Sequence, residues 1–255
     1  MGKRGRWYIR GWLAGCLGLV SLSAATVSPE FDAPVNLNTE AWPPYNYVEH
    51  DVLTGVSVNI VKALLHELGR RDPINVYPSM RAKLMTNTHP RSMMFSMFRT
   101  PEREKLYKWI GPIGRDSIYF YQRKDSPLSI HTLEDAKAVP VVASRQAGLV
   151  FNKLIAAGFT NLDATANSSK AVYSKLLLGR ADLAISDSPA GVRYLLNQLG
   201  IAQGELVQTP VKIVESDLYI ATSLDFSDAE IAYWQQALDR LKARGVVEQI
   251  YRAFE

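Results

Sequence analysis

Cysteine is nearly missing from this 255-residue chain, Cys16 being the single one. An internal disulfide framework is therefore excluded, and the fold must be held by an ordinary apolar core. Histidine is scarce too: His50, His66, His89 and His131 are the only four. No two of them stand at metal-ligand spacing, and His66-Glu67 lacks the second histidine of a zinc-protease helix. There is no glycine-rich phosphate loop ending in Lys-Ser/Thr, and Gly55-Val56-Ser57-Val58-Asn59 lacks the last glycine of a nucleophile elbow. No repeat of fixed period and no low-complexity tract occurs. Acidic residues are absent from residues 1–25, which carry Lys3, Arg4, Arg6 and Arg10. That segment holds the whole formal charge of +4, so the sequence pI of 9.1 belongs to the N-terminus. The rest of the chain is net neutral, which excludes a basic nucleic-acid footprint and any nucleic-acid partner.

What is present at the N-terminus reads as an export signal. A basic stretch is followed by uncharged, small or apolar residues 11–25, closed by Ser23-Ala24-Ala25. Cleavage before Thr26 is expected, releasing a mature chain without cysteine into the periplasm. Two alternatives stay open: an uncleaved anchor, and a lipoprotein, because Leu13-Ala14-Gly15-Cys16 spells a lipobox although the apolar run continues past the cysteine.

Beyond it, short β-branched or aromatic runs alternate with amphipathic stretches, the pattern of an α/β fold. Strands are predicted at Val35–Asn38, Ile74–Tyr77, Met93–Met97, Ser117–Gln122, Asp182–Ile185 and Val211–Ile220. Trp42-Pro43-Pro44-Tyr45 reads as a loop, since each proline removes a donor and restricts its neighbour. A helix after Gly55 carries Ile60, Val61, Leu64, Leu65 and Leu68 on one face. Others are predicted near Met80–Met85, around Val150, Leu154 and Ile155, at Ser169–Leu178, and up to about Leu199. Ser227-Asp228-Ala229-Glu230 has the spelling of a capping box, ahead of Ile231, Trp234, Leu238 and Leu241 at helical spacing. Gly245 breaks that helix and a short one follows.

Several segments, in order, resemble the bacterial extracellular solute-binding proteins of family 3. They are Asn38–Tyr45, Leu53-Thr54-Gly55-Val56, Arg99–Glu104, Trp109-Ile110-Gly111-Pro112, Leu178–Asp182 and the C-terminal stretch from Trp234 to Tyr251. The resemblance implies two α/β lobes around a central cleft, with two interlobe crossings, placed near Ser117–Gln122 and Val214–Tyr219. The division it implies is a signal peptide over 1–25, a first lobe over 26–118 and 216–255, and a second lobe over 119–215.

The resemblance also implies the site. Arg103 matches the arginine that grips a ligand's α-carboxylate, a task suited to a planar, always-charged, two-pronged donor. Its flanking Glu102 and Glu104 offer the rival role of a surface ion pair. Asp187, after a predicted strand, matches the aspartate that holds the α-amino group, with helix capping as its rival role. Trp42 and Tyr45 match an aromatic wall over the ligand, the rival being loop packing. Ser96 is placed to donate to the carboxylate, unless it is merely a small strand residue. Ser144, Arg145 and Gln146 precede a helix whose first amides favour an anionic group, and Arg145 would add charge there unless it is a solvated surface arginine. Should Arg81, Arg99, Arg103 and Arg145 all face the cleft, it would favour an anionic ligand.

The expectation is a monomeric, non-enzymatic periplasmic receptor for a small polar solute such as an amino acid. It would need no cofactor and no metal, and would deliver its ligand to an inner-membrane ABC permease. The alternatives are a ligand-sensing module for a membrane receptor and a small-acid dehydratase on the same scaffold.

Overall fold

In the computed structural model the described residues are 31–254; the expected export signal and Cys16 lie outside them. The predicted alternation resolves into one eight-stranded sheet and a hairpin. At one end of the sheet β1 (Asn36–Thr39) pairs in parallel with β4 (Ile74–Val76) and β5 (Ser92–Phe98). At the other end β7 (Val142–Arg145) pairs in parallel with β8 (Leu162–Ala166) and β9 (Leu183–Ile185). Two long antiparallel strands, β6 (Lys108–Arg123) and β10 (Leu206–Thr222), join the halves. The separate hairpin is β2 (Tyr47–Glu49) with β3 (Val52–Thr54).

The long strands make the two-lobed architecture. Strand β5 borders β10 from Leu218 onward, and β9 borders β6 at Tyr121. Between these points Arg115–Ile118 faces Val214–Asp217. This two-stranded neck overlaps the expected crossing segments at Ser117-Ile118 and at 214–217. The expected strand Ser117–Gln122 is only the far part of β6, which starts at Lys108 and runs through Gly111-Pro112.

Helix α1 (Val56–Glu67) turns Val58, Ile60, Val61 and Leu64 into the first half's core, where they join Trp234 and Leu238 of α7 (Asp228–Ala243). Gly245, in the left-handed region at φ 71°, ends α7 and starts α8 (Val246–Arg252). Ser227 caps α7 by accepting from the Glu230 amide at 3.1 Å. The second half of the expected capping box is corrected, however. The Glu230 carboxylate leaves the helix end for the Arg91 guanidinium at 2.6 Å, a charge-assisted partner stronger than a backbone amide. On the opposite face of the sheet, α2 (Ser79–Thr88) covers β5 through Ala82.

The second half is wrapped by α3 (Leu133–Ala138), α4 (Leu149–Ala156), α5 (Ser169–Leu177) and α6 (Pro189–Gln198). Ile155, expected on the apolar face of α4 beside Leu154, is instead 53% exposed. Leu154 takes the buried place on α4, and Ile155, about 100° further round the helix, falls on its solvent side. The hairpin, α3 and β8 were not foreseen; Asp163-Ala164-Thr165 of β8 has little of the β-branched bias that marks a strand.

Candidate functional site

Strand β5 carries a β-bulge that aims the site. Ser96 has φ 62°, and the pairing with β10 slips between Tyr219 and Ala221. A regular strand would put residues 93, 95 and 97 on one face. Here Met93, Phe95 and Phe98 share one core cluster while Met94 and Met97 share another. The extra residue inverts the alternation and brings Phe98 beside Trp42, with ring centroids 5.6 Å apart. The Ser96 hydroxyl donates to Asn46 Oδ1, so in this structure its proton goes to the loop rather than into the cleft.

That loop is fixed from below. The first amides of α1 donate to Pro44 O at 3.0 Å and Tyr45 O at 2.9 Å, and the Trp42 and Asn46 backbones bond to each other at 2.6 and 3.0 Å. Gly55 makes this docking feasible, since at φ 119° a Cβ would lie 2.3 Å from Tyr45 O. Gly55→Ala is therefore expected to cost at least about 1–3 kcal/mol in backbone strain. In a protein of this size that should lower Tm by at least about 2 °C. Differential scanning calorimetry checks it, and an unchanged melting temperature would rule out this docking.

Trp42 and Tyr45 stand at a ring distance of 4.7 Å. Tyr45 donates its hydroxyl to Asp116 on the neck, and Trp42 Nε1 donates across the cleft to Asp187 Oδ1 at 2.5 Å. The Tyr45 hydroxyl is held far above its usual pKa by burial and by the Asp116 charge. Asp116 is itself raised by burial, against hydrogen bonds from Tyr45, the Ser117 amide and Ser188.

Asp187 follows β9 and is 6% exposed. It is not the cap of α6: Ser188 is, accepting from the Gly191 amide at 3.3 Å. Asp187 Oδ1 also accepts from the Ser188 amide at 3.0 Å. Tyr173, beneath, accepts from the Asp187 amide with its hydroxyl at 3.0 Å. Gly191 gives the carboxylate room, for a Cβ there would lie 2.4 Å from Oδ1. Burial pushes the Asp187 carboxyl up to about 6, against hydrogen bonds from Trp42, Ser169 and the Ser188 amide and the charge of Arg145.

Arg103 ends a 3₁₀ turn (Pro101–Arg103) after β5 and is half-buried. The rival surface pair is not made. Glu102 bonds to Lys153 of α4 at 2.7 Å, and Glu104 to Arg99 at 2.7 and 3.0 Å. Arg103 forms no ion pair among the described residues and donates from Nη1 to Phe98 O at 3.0 Å. Burial lowers its pKa, though a guanidinium stays protonated.

The cationic cleft of four arginines is reduced to two. Arg99 is held by Glu104 over the rings of Trp109 and Tyr219, and Arg81 lies exposed over Tyr77. The Arg145 charge acts on both Asp187 and Glu40. Gln146, next to it, is exposed, and its amide is spent on Ala166 O at 2.9 Å. Buried Ser144 donates to its neighbour's carbonyl at 3.3 Å.

Glu40, Phe98, Asn46 and Asp116 were not singled out in the sequence. Glu40 feels the charges of Arg103 and Arg145 together, accepts from Ser79, and has its pKa raised by burial. Its place directly after β1 and two residues before Trp42 was the available signal. The assembled cleft thus sets three carboxylates, of Glu40, Asp116 and Asp187, and the guanidiniums of Arg103 and Arg145 around an aromatic wall, with no nucleophile–base pair among them. Such a set suits recognition of a small molecule bearing both charges.

The family model of the bacterial extracellular solute-binding proteins, family 3, matches residues 36–254. No curated protein matches the chain. Among solved structures, a histidine kinase sensor domain with similarity to periplasmic binding proteins is 17% identical, with TM-score 0.77, 88% of this chain and 97% of that one being covered. A mutant of ArgBP from T. maritima is 18% identical, with TM-score 0.74 and coverages of 86% and 94%. The GluR0 ligand-binding core from Nostoc punctiforme, in complex with (L)-glutamate, is 18% identical, with TM-score 0.73 and coverages of 87% and 99%. At these identities the likeness is one of fold.

Proposed function

The chain belongs to the bacterial extracellular solute-binding proteins of family 3, and we propose that it captures a small zwitterionic solute, an amino acid or close relative, by lobe closure. What supports this reading is that Arg103 is released from both flanking glutamates and shares Glu40 with Arg145, whose charge also acts on buried Asp187. In this reading Arg103 takes the carboxylate and Asp187 the ammonium group. Trp42, Tyr45 and Phe98 form the wall, Ser96 turns its hydroxyl from Asn46 to the ligand carboxylate on binding, and Arg145 with Gln146 closes from the second lobe. The first lobe is residues 26–118 and 216–255, the second 119–215, and residues 1–25 direct export to the periplasm. The protein works as a monomer without cofactor or catalysis and hands its ligand to an inner-membrane ABC permease. The likeness to a histidine kinase sensor domain supports a second reading, a ligand-sensing module for a membrane receptor. Co-purification with a permease rather than a receptor separates the two.

A thermal-shift screen over L-amino acids, dipeptides and small organic acids tests the proposal. At least one zwitterion should raise Tm, and a screen in which only non-zwitterions do so would sink it. Affinity should also follow the ionisation of Asp187. A cationic head group binds only the carboxylate form, and burial places that pKa at about 6. Binding is therefore expected to weaken about tenfold per pH unit below 6 and to level off above about 7. Calorimetric titration from pH 5 to 8 checks the sign, and affinity that rises on acidification contradicts the role of Asp187.

A further inference from the structure

Protein donors already occupy one oxygen of the carboxylate at which an ammonium group is expected. Asp187 Oδ1 accepts from Trp42 Nε1 at 2.5 Å and from the Ser188 amide at 3.0 Å, which uses both its lone pairs. The two donors differ in kind. Ser188 belongs to the same element as Asp187, whereas Trp42 reaches over from the loop after β1, 145 residues away in sequence. That loop is pinned by the first amides of α1, and Asp187 is pinned by Tyr173 and the first turn of α6. The bond therefore spans two rigid bodies, and it breaks only when the indole swings out or the lobes part. Other direct contacts run alongside it: Tyr47 against Tyr194 of α6 at a ring distance of 5.0 Å, and Glu102 to Lys153 at 2.7 Å. The first is an apolar contact and the second an exposed ion pair of little weight; the buried polar fastenings are the bond to Asp187 and the Ser188 hydroxyl against Tyr45 and Asp116, and of these only the first engages the Asp187 carboxylate itself.

We propose that Trp42 is a built-in competitor and latch: its indole N–H fastens the lobes together through Asp187, and a ligand gains the site by displacing it. The competitor role rests on the reading that Asp187 receives the ligand's amino group; the latch does not. Displacement runs forward because an ammonium–carboxylate hydrogen bond is stronger than that of a neutral indole N–H. The latch therefore lowers affinity while leaving the cleft able to respond to a cationic head group. The wall and the latch are separable functions of one side chain. Tyr45 and Phe98 flank the ring at 4.7 and 5.6 Å, so a phenyl ring in its place keeps the wall and loses only the donor.

The test uses the full mature chain in small-angle X-ray scattering without added solute, and in calorimetric titration with L-arginine and L-glutamate. Trp42→Phe and Asp187→Ala should each give a larger radius of gyration than wild type. Asp187→Asn, which keeps an acceptor for the indole, should stay compact, an outcome that mere loss of buried charge would not produce. An unchanged radius of gyration in Trp42→Phe overturns the latch, whatever binds. Trp42→Phe should also bind about tenfold tighter whichever amino acid wild type binds, and equal or weaker binding overturns the competitor role. Failure of Asp187→Ala to weaken that titration strikes instead at the assignment of the amino group. If neither amino acid binds, that assignment falls for these two ligands, and the scattering alone still decides the latch.

Discussion

Replacing Arg103 or Asp187 by alanine is expected to weaken amino-acid binding at least about tenfold, the equivalent of 1.4 kcal/mol. In the proposed site each residue lies in a cleft that would exclude water on closure, where losing one partner of a desolvated charge pair costs roughly 2–5 kcal/mol. The two losses should differ in kind. Arg103 is held by a single hydrogen bond to Phe98 O, so its removal touches little else. Asp187→Ala also frees Trp42, which offsets part of the loss without cancelling it, because a neutral donor is worth less than an ammonium group. Arg103→Lys keeps the charge but loses the two-pronged geometry, and should lie between wild type and Arg103→Ala. The double variant should lose less than the sum of the single losses if both residues act on one closed state. Unchanged affinity in both alanine variants would leave Arg103 and Asp187 without the proposed role.

The largest effect on stability is expected from deleting residues 219–255. The cut removes the end of β10 that pairs with both β5 and β6, together with α7 and α8. It also takes away Trp234 and Leu238, both fully buried, and Phe226 at 1% exposure. Trp234→Ala alone should cost about 3–5 kcal/mol, a large share of the 5–15 kcal/mol that holds a typical domain. Arg91 would lose Glu230, and Glu67 would lose Arg240 and Arg244. The truncated protein should show no cooperative unfolding of the half built on β4-β1-β5. A normal calorimetric transition in that protein would refute the assignment of the C-terminal helices to this half.

Local periodicity carried much of the fold. The apolar spacing of α1 and α7, the serine ahead of α7 and the glycine after it act over three or four residues, and one sequence displays them. The reading failed where local signals disagreed with distant partners. No strand is predicted at Gly111-Pro112, yet the dipeptide lies inside β6, because pairing with β10 resumes on both sides of it, at Ile110 and at Gly114. Ser96 carries no mark of a bulge, and only its pairing with β10 and bond to Asn46 reveal one.

By itself the sequence determined the α/β class, the neutral character of the chain beyond its basic N-terminus, and the order of segments that marks family 3. It also put Arg103, Asp187, Trp42 and Tyr45 forward as candidates, because short motifs and strand ends are local features. Only the tertiary structure decided what those side chains do. Whether Arg103 pairs with its neighbouring glutamates depends on Lys153, fifty residues further on, drawing Glu102 away. Whether Asp187 caps a helix depends on Ser188 standing next to it in the right geometry. That Trp42 closes on Asp187 depends on two lobes meeting across a cleft. Charged and aromatic groups have several partners of similar energy within reach along the chain, so the choice among them falls to whichever group the fold brings close and shields from water.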